Sequence, residues 1–441
     1  MIKEIDNETM FKNIYQLPPA HYLILENGKI KIENYWRLKN EQNNKDYFTS
    51  DKELINQFRD LFFSSIKMRL RSDVPVGALL SGGLDSSAIV SVINSIAKKE
   101  KLPVDIKTFT AAYKEKEIDE SNYAKEVVKG TKIPNVLVYP NLNNNISCDI
   151  DKIMYHQDEP PISMTVFPHW YLMHEIKKHG IKVIISGQGS DEMLAGYLEQ
   201  FLGYSLVDLL SNYRYQRFFH DIKKFKDKSN IKYSIILLQI LKAIATRRIG
   251  MLAKSLMRDK GILYLRPDFI KNNWKVYNYK ETMTKYSRLN ESLYRALTLD
   301  SPPYILHYED RNSMAFSIEQ RVPFLDYRLV EFLFSLSNKQ KIDNGISKII
   351  LRNSLKGIMP EKVRQRYSKL GFTVPVNKWM REMKNYAFNI LNSRDFNKRI
   401  YWNPTKLRKL YKKQLKGEVN MEHFFWRIIA CEIWHRIYFD K

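Results

Sequence analysis

The chain has 441 residues, enough for two or three compact units, and 44% hydrophobic with 13% aromatic content can furnish a sizeable core. Its 72 basic and 48 acidic residues give a formal charge of +24, which favours polyanions in general, but the lysines are spread along the chain and no zinc-finger or RNA-recognition motif appears. Specific nucleic-acid binding is therefore not expected, and two isolated cysteines, Cys148 and Cys431, exclude a disulfide framework and point to a reducing, cytoplasmic setting.

Met1 to Pro18 is polar and charged and reads as no signal peptide. His21–Leu25 and Lys29–Glu33 flank Glu26-Asn-Gly28, a strong hairpin signal, although two strands alone are marginal in water. A polar linker, Lys39–Asp46, follows, and Lys52–Phe62 carries apolar residues at helical spacing. Val74–Leu80 is a short apolar strand and Ala88–Asn94 a helix, so Ser81-Gly-Gly-Leu-Asp-Ser-Ser87 lies at a strand-to-helix turn. Gly82 and Gly83 let the backbone approach a ligand closely, while Ser81, Ser86 and Ser87 set hydroxyls beside the free N–H groups of a helix start. That combination makes an anion site. Asp85 is repulsive next to phosphates unless a divalent cation lies between, which makes it a magnesium ligand. The loop lacks the Gly-Lys-Ser/Thr ending of a Walker A motif, so γ-phosphate transfer is not expected.

Further strands are expected at Ile106–Ala112 and Asn135–Tyr139, around acidic Glu117–Ser121. Asp158-Glu-Pro160 precedes a helical stretch; Asp158 and Glu159 either bind magnesium or a substrate amine or simply favour a helix N-terminus. Ile181–Ile185 is another buried-strand run, ending in Ser186-Gly-Gln-Gly-Ser-Asp-Glu192-Met-Leu-Ala-Gly-Tyr197. Two strands that each end in a Gly/Ser/Asp loop place both loops at the carboxyl edge of one parallel sheet, where Asp191 can join Asp85 on the same magnesium. After Tyr197 the strands are expected to stop and long helical patterns to take over, including Arg427–Tyr438. Ile235–Met257 is cationic and amphipathic but too interrupted to span a bilayer, and is taken as a buried helix in an insert. The nine histidines show no paired ligand spacing, so no transition-metal site is expected.

The loop at Ser81–Ser87 resembles the PP-loop of ATP pyrophosphatase-type enzymes, which split ATP between the α and β phosphates. Together with Ser186–Glu192 and Asp310-Arg-Asn-Ser-Met-Ala-Phe-Ser-Ile-Glu-Gln-Arg-Val-Pro-Phe-Leu-Asp326, it resembles the synthetase domain of asparagine synthetase B, the glutamine-hydrolysing class, from about Met10 to the C-terminus. The resemblance implies an α/β fold of the PP-loop, adenine nucleotide alpha hydrolase-like kind, a parallel sheet with a large helical C-terminal part. The divisions implied are a hairpin remnant of a glutaminase domain with linker at 1–45, a nucleotide-binding core at 46–200 and a mainly helical remainder at 201–441.

By the same resemblance, ATP and Mg2+ are the cofactors, and adenine lies near Leu80, Ala111, Ser186 and Gly187. Lys348 holds pyrophosphate and Lys369 stabilises charge as it leaves. Asp158, Glu159, Asp310, Arg311, Glu319 and Arg321 are candidate substrate contacts. The expected reaction adenylates a carboxylate, aspartate by default, and passes it to ammonia, releasing AMP and pyrophosphate.

Two departures from the family pattern stand out. No cysteine lies near the start of the sequence, so the chain is not expected to hydrolyse glutamine, and the hairpin is a place for a separate glutaminase to dock. Gln188 stands where many members carry glutamate, and an amide cannot take a proton, which leaves the general base unassigned. Both departures also fit a specialised ligase acting on another acid and amine, or a non-catalytic ATP-binding partner of a glutaminase.

Overall fold

The structure of the protein is a computed structural model that describes residues 7–38, 49–101, 106–140, 146–229, 231–244, 263–273, 287–367, 371 and 374–440. The whole linker at 39–46 falls outside these, and so does Lys369.

Asn27 and Gly28 both adopt positive φ, 49° and 73°, as a two-residue primed turn requires. They join β1 (His21–Glu26) to β2 (Lys29–Asn34) in an antiparallel hairpin whose pairs Leu23 with Ile32 and Leu25 with Ile30 share one face. That apolar face is exposed, Leu25 to 68% and Ile30 to 66%. The chain then enters α1 (Asp51–Arg69) through a capping box: Ser50 Oγ accepts from Glu53 N–H, and Glu53 Oε2 accepts from Ser50 N–H at 2.9 Å. Leu54, Phe58, Phe62 and Ile66, four residues apart, bury one stripe of α1, which therefore runs a further two turns beyond its predicted end.

The central sheet follows. Strands β3 (Val76–Leu79), β4 (Lys107–Ala111), β5 (Asn135–Val138), β6 (Val183–Ile185) and β7 (Glu319–Arg321) lie in the order β5-β4-β3-β6-β7, all parallel. The chain leaves β3 through α2 (Leu84–Glu100), β4 through α3 (Ser121–Thr131), and β5 through α4 (Ile146–Gln157) and α5 (Val166–Lys178). The first three strands are laid down in one direction and the next two in the other, so the order reverses between β3 and β6. Doubly wound sheets bind ligands at this reversal.

Alternate residues of β6 feed different cores. Val183 and Ile185 join a cluster with Phe58, Phe62, Ala78, Ile89 and Leu351, whereas Ile184 joins Phe109, Met173, Trp379 and Trp426. Beyond β6 come α6 (Ser190–Leu194), α7 (Leu198–Ser211), α8 (Tyr215–Ser229) and α9 (Tyr233–Ile244). A satellite cluster of Leu202, Leu206, Ile236 and Ile240 holds α7 to α9.

Three expectations are corrected. Strands do not stop at Tyr197: β7 pairs with β6, and a two-residue hairpin, β8 (Ile342–Asp343) with β9 (Ile346–Ser347), follows. The parallel sheet therefore draws on both the 46–200 and the 201–441 segments. Asp158 and Glu159 do not open a helix; they follow the end of α4, with Asp158 at φ 59°, and the next helix starts at Val166. The described part of Ile235–Met257 is only partly buried. In α9, Ile236, Ile240 and Ala243 are covered, while Leu237, Leu238 and Leu241 are exposed. Among the described residues no helix is long and apolar enough to cross a membrane.

Candidate functional site

The PP-loop-like turn leaves β3 and enters α2 with Gly82 at φ 83°. A Cβ at Gly82 would lie 2.7 Å from Glu120 O and from Ala124 N, so only glycine lets the turn sit against the start of α3. The loop is braced from within. Ser81 N–H donates to Ser86 Oγ at 3.2 Å, Gly83 N–H to Ser81 Oγ at 3.2 Å, and the two hydroxyls lie 3.1 Å apart. Ser87 is buried behind them. Leu80 N–H donates to Phe109 O at 2.9 Å, and Thr110 Oγ1 donates to Leu80 O at 2.5 Å, which sets Leu80 beside the end of β4, where Ala111 lies.

The second loop leaves β6 and meets the first at backbone contact. A Cβ on Gly187 would be 3.1 Å from both Asp85 Cβ and Ser86 N, so the Ser186-Gly187 turn lies directly against the start of α2. Ser190 Oγ donates to Asp85 Oδ1 at 2.8 Å and ties α6 to the same carboxylate.

Lys348 completes this centre from a third segment. It takes φ 60° ahead of the helix Ile349–Ser354, and its Nζ is 2.5 Å from Asp85 Oδ1 and 2.5 Å from Asp191 Oδ1. The lysine side chain is only 3% exposed. Gly196 makes room for the pair, since a Cβ there would lie 1.8 Å from Asp191 Oδ1 and 2.6 Å from Lys348 Cε. Arg352, one turn on, donates to Ser347 O at 2.8 Å and to Arg366 O at 2.9 Å, pinning the backbone on either side; burial brings its pKa down to about 10.

Two carboxylates facing one cation position bear on magnesium. Among the described residues no group of three or more His, Cys, Asp or Glu side chains is arranged to hold an ion. A nucleotide-bound magnesium needs no such cage, because one or two carboxylates plus phosphate oxygens complete its shell. Asp85 and Asp191, already converging on the Lys348 ammonium, supply that donor set, so the residues fit the metal.

Behind the second loop lies a buried polar network. Glu309, on the helix Ser301–Met314, is 3% exposed; Gln188 Nε2 donates to its Oε1 at 2.7 Å, and Gln320 Nε2 donates to its Oε2. Gln320 also donates to Ser186 Oγ at 3.1 Å and turns its Oε1 to His169 Nε2 at 3.1 Å. Asn312 Nδ2 faces the other ring nitrogen of His169 at 3.3 Å, which assigns the Nε2–H tautomer. Burial lowers the His169 pKa to about 4, so the ring is neutral. Burial likewise raises Glu309 to about 7, against the opposing pull of the two amides. Ser186, Gln188, Asn312 and Gln320 lie inside the motifs that the sequence displays, whereas Glu309 and His169 do not stand out in it. The one available signal for Glu309 is periodicity: Tyr308, Glu309, Asn312 and Ser313 form the buried stripe of their helix, and three of them are polar.

The remaining candidates lie in two groups. Arg311 pairs with Asp158 at 2.9 Å, Tyr438 O–H donates to Asp158 Oδ1 at 3.3 Å, and His307 lies 3.8 Å from Glu159, while Asp310 is exposed. Arg321 pairs with Glu319 at 2.7 Å and donates to the carbonyls of Arg69 and Arg71 at 2.8 and 2.7 Å, fastening the edge strand to the end of α1. Cys431 is inside the C-terminal helix, where burial raises its thiol to about 11.

The sequence model of asparagine synthase matches residues 57–436. The chain is similar to the glutamine-hydrolyzing asparagine synthetase 1 of Bacillus subtilis (strain 168), 29% identical over 449 aligned positions covering 96% of this chain and 65% of the relative. It is also similar to the glutamine-hydrolyzing asparagine synthetase 3 of that organism, 25% identical across 87% of this chain and 59% of the relative. Amidase chry2 of Gibberella zeae is 24% identical across 85% of this chain and 60% of its own length. The chain thus spans less than two thirds of the length of these relatives. With the family match running from α1 into the C-terminal helix and taking in both glycine loops, Lys348 and Glu309, the chain belongs to the asparagine synthase family.

Proposed function

We propose that this protein is an ATP-dependent amide ligase that adenylates a carboxylate, aspartate by default, and transfers the acyl group to ammonia. The observation that carries the reading is the meeting of two glycine loops at the reversal of strand order, with Asp85 and Asp191 converging on one cation position. N–H groups of the Ser81–Ser87 turn and the start of α2 receive the phosphates of ATP. Lys348, released from its carboxylates, and Lys369 carry positive charge to the departing pyrophosphate. Asp85 and Asp191 would hold magnesium, which when bound would supply charge to neutralise the phosphates. A substrate carboxylate oxygen attacks the α-phosphorus, the bond to pyrophosphate breaks, and the acyl-adenylate then exchanges AMP for nitrogen.

Nitrogen enters as free ammonia, or from a glutaminase seated on the bare face of β1 and β2. That apolar face is the observation that favours a partner. A different acid and amine pair is the second reading, favoured by Gln188 and by the likeness to a relative called an amidase.

The test is product analysis. With MgATP, aspartate and ammonium, the purified chain is expected to release AMP and pyrophosphate in step with amide. Coupled release of ADP and phosphate instead would sink the adenylation reading. AMP release with other acids but not aspartate would select the second substrate reading.

A further inference from the structure

Resting on that reading, we propose that Glu309 is the proton acceptor of the amide-forming step. Gln188 borders the junction of the two loops and has no titratable group, and the carboxylate its amide touches is Glu309, 2.7 Å away. Gln320 holds the other oxygen and is itself oriented by neutral His169 and by Ser186, so the carboxylate is fixed from two sides. Each amide occupies one of the two lone-pair directions of a carboxylate oxygen, so the hydrogen bonds shown leave acceptor capacity on both oxygens.

Among the described residues, the groups in contact with Glu309 carry no cation. Gln188 comes from the β6 loop, Gln320 from β7, and His169 from α5 behind Gln320, while Tyr308 on its own helix is held neutral by burial. Desolvation therefore sets its titration near neutrality, where a general base works best.

The step balances as follows. The nitrogen lone pair of ammonia attacks the acyl-adenylate carbonyl, a C–N bond forms, and one N–H proton passes to a Glu309 oxygen. The tetrahedral centre collapses, the C–O bond to AMP breaks with its electrons on AMP, and Glu309 returns the proton to solvent.

The experiment compares wild type, Glu309→Gln, and the exchange variant Gln188→Glu/Glu309→Gln, each with MgATP, a panel of carboxylates led by aspartate, and ammonium. Glu309→Gln keeps the size of the side chain and one acceptor oxygen but loses basicity, and the Gln188 amide can turn over to accept from the new NH2 group. It is expected to retain carboxylate-dependent ATP–pyrophosphate exchange while amide formation falls by about 10²-fold or more, with loss of the pH limb near 7. The exchange variant is expected to regain at least tenfold of the loss, since a carboxylate returns to the same junction.

Thermal unfolding provides a readout apart from activity. A carboxyl raised from 4.5 to about 7 stabilises the fold below its unfolded pKa, and that contribution disappears as pH rises through 7. The melting temperature of Glu309→Gln relative to wild type should therefore climb between pH 5 and pH 8. Amide formation within about threefold of wild type and an unchanged pH limb would overturn the assignment, as would loss of pyrophosphate exchange in a folded Glu309→Gln. Absence of exchange in the wild-type chain with every acid would remove the adenylation reading itself.

Discussion

An ammonium held 2.5 Å from each of two carboxylates is an ion-pair triad with one negative charge in excess, and Lys348 is almost wholly buried within it. Such a triad is stable only while every member is present, because a carboxylate left without its cation still bears the cost of its desolvation. Lys348→Ala should lower stability by about 3–5 kcal/mol, the usual cost of breaking a buried pair. A divalent cation can take the vacated position, whereas sodium at equal ionic strength offers only screening. Millimolar magnesium should thus raise the melting temperature of Lys348→Ala well beyond its effect on wild type. Equal shifts with magnesium and with sodium chloride would show that Asp85 and Asp191 do not form a metal position.

At the scale of elements, the centre depends on glycines that let loops touch. Gly196 is the sharpest case, because its φ is not in the left-handed region and only space forbids a side chain there. In Gly196→Ala the added methyl must displace Asp191 or Lys348, and displacement of about 1 Å is enough to cost on the order of 10²-fold in rate. The variant should remain folded by circular dichroism with AMP formation reduced to that degree; unimpaired AMP formation would mean that the Asp191 position is not needed.

The sequence made much of this legible. Strands β3, β5 and β6 are short, mainly apolar runs near Gly, Ser or Pro, β4 alternates threonine with phenylalanine and alanine, and the Asn27-Gly28 turn carries its own conformational signature. Strand β7 was not readable. Glu319, Gln320 and Arg321 have no apolar pattern, and they form a strand only because β6 offers an open edge beside them. Glu309 was missed for a related reason: its importance comes from burial on one helix face and from contacts 121 residues away in sequence with Gln188. Asp85, Asp191 and Lys348 were singled out by type and motif, but their mutual pairing belongs to three distant segments and needed the fold.

For the molecule as a whole, the proposed ligase reaction requires a source of nitrogen. Of the two cysteines, Cys431 lies in a helix interior with its thiol far above the range of a nucleophile, so glutamine hydrolysis has no reactive thiol there. The purified 441-residue chain is accordingly expected to form amide with ammonium and to be inert with glutamine alone. The hairpin offers a docking place because Leu23, Leu25, Ile30 and Ile32 form an exposed apolar face and, among the described residues, β1 and β2 pair only with each other. Such strands join a partner by adding to its sheet. A separately produced glutaminase with an N-terminal cysteine should then confer glutamine-dependent turnover. Leu25→Lys combined with Ile30→Lys should abolish that gain and leave ammonium-dependent turnover intact, since both side chains are exposed and far in sequence from the loops. Glutamine-dependent amide formation by the isolated chain, free of contaminating glutaminase, would contradict this account of its nitrogen supply.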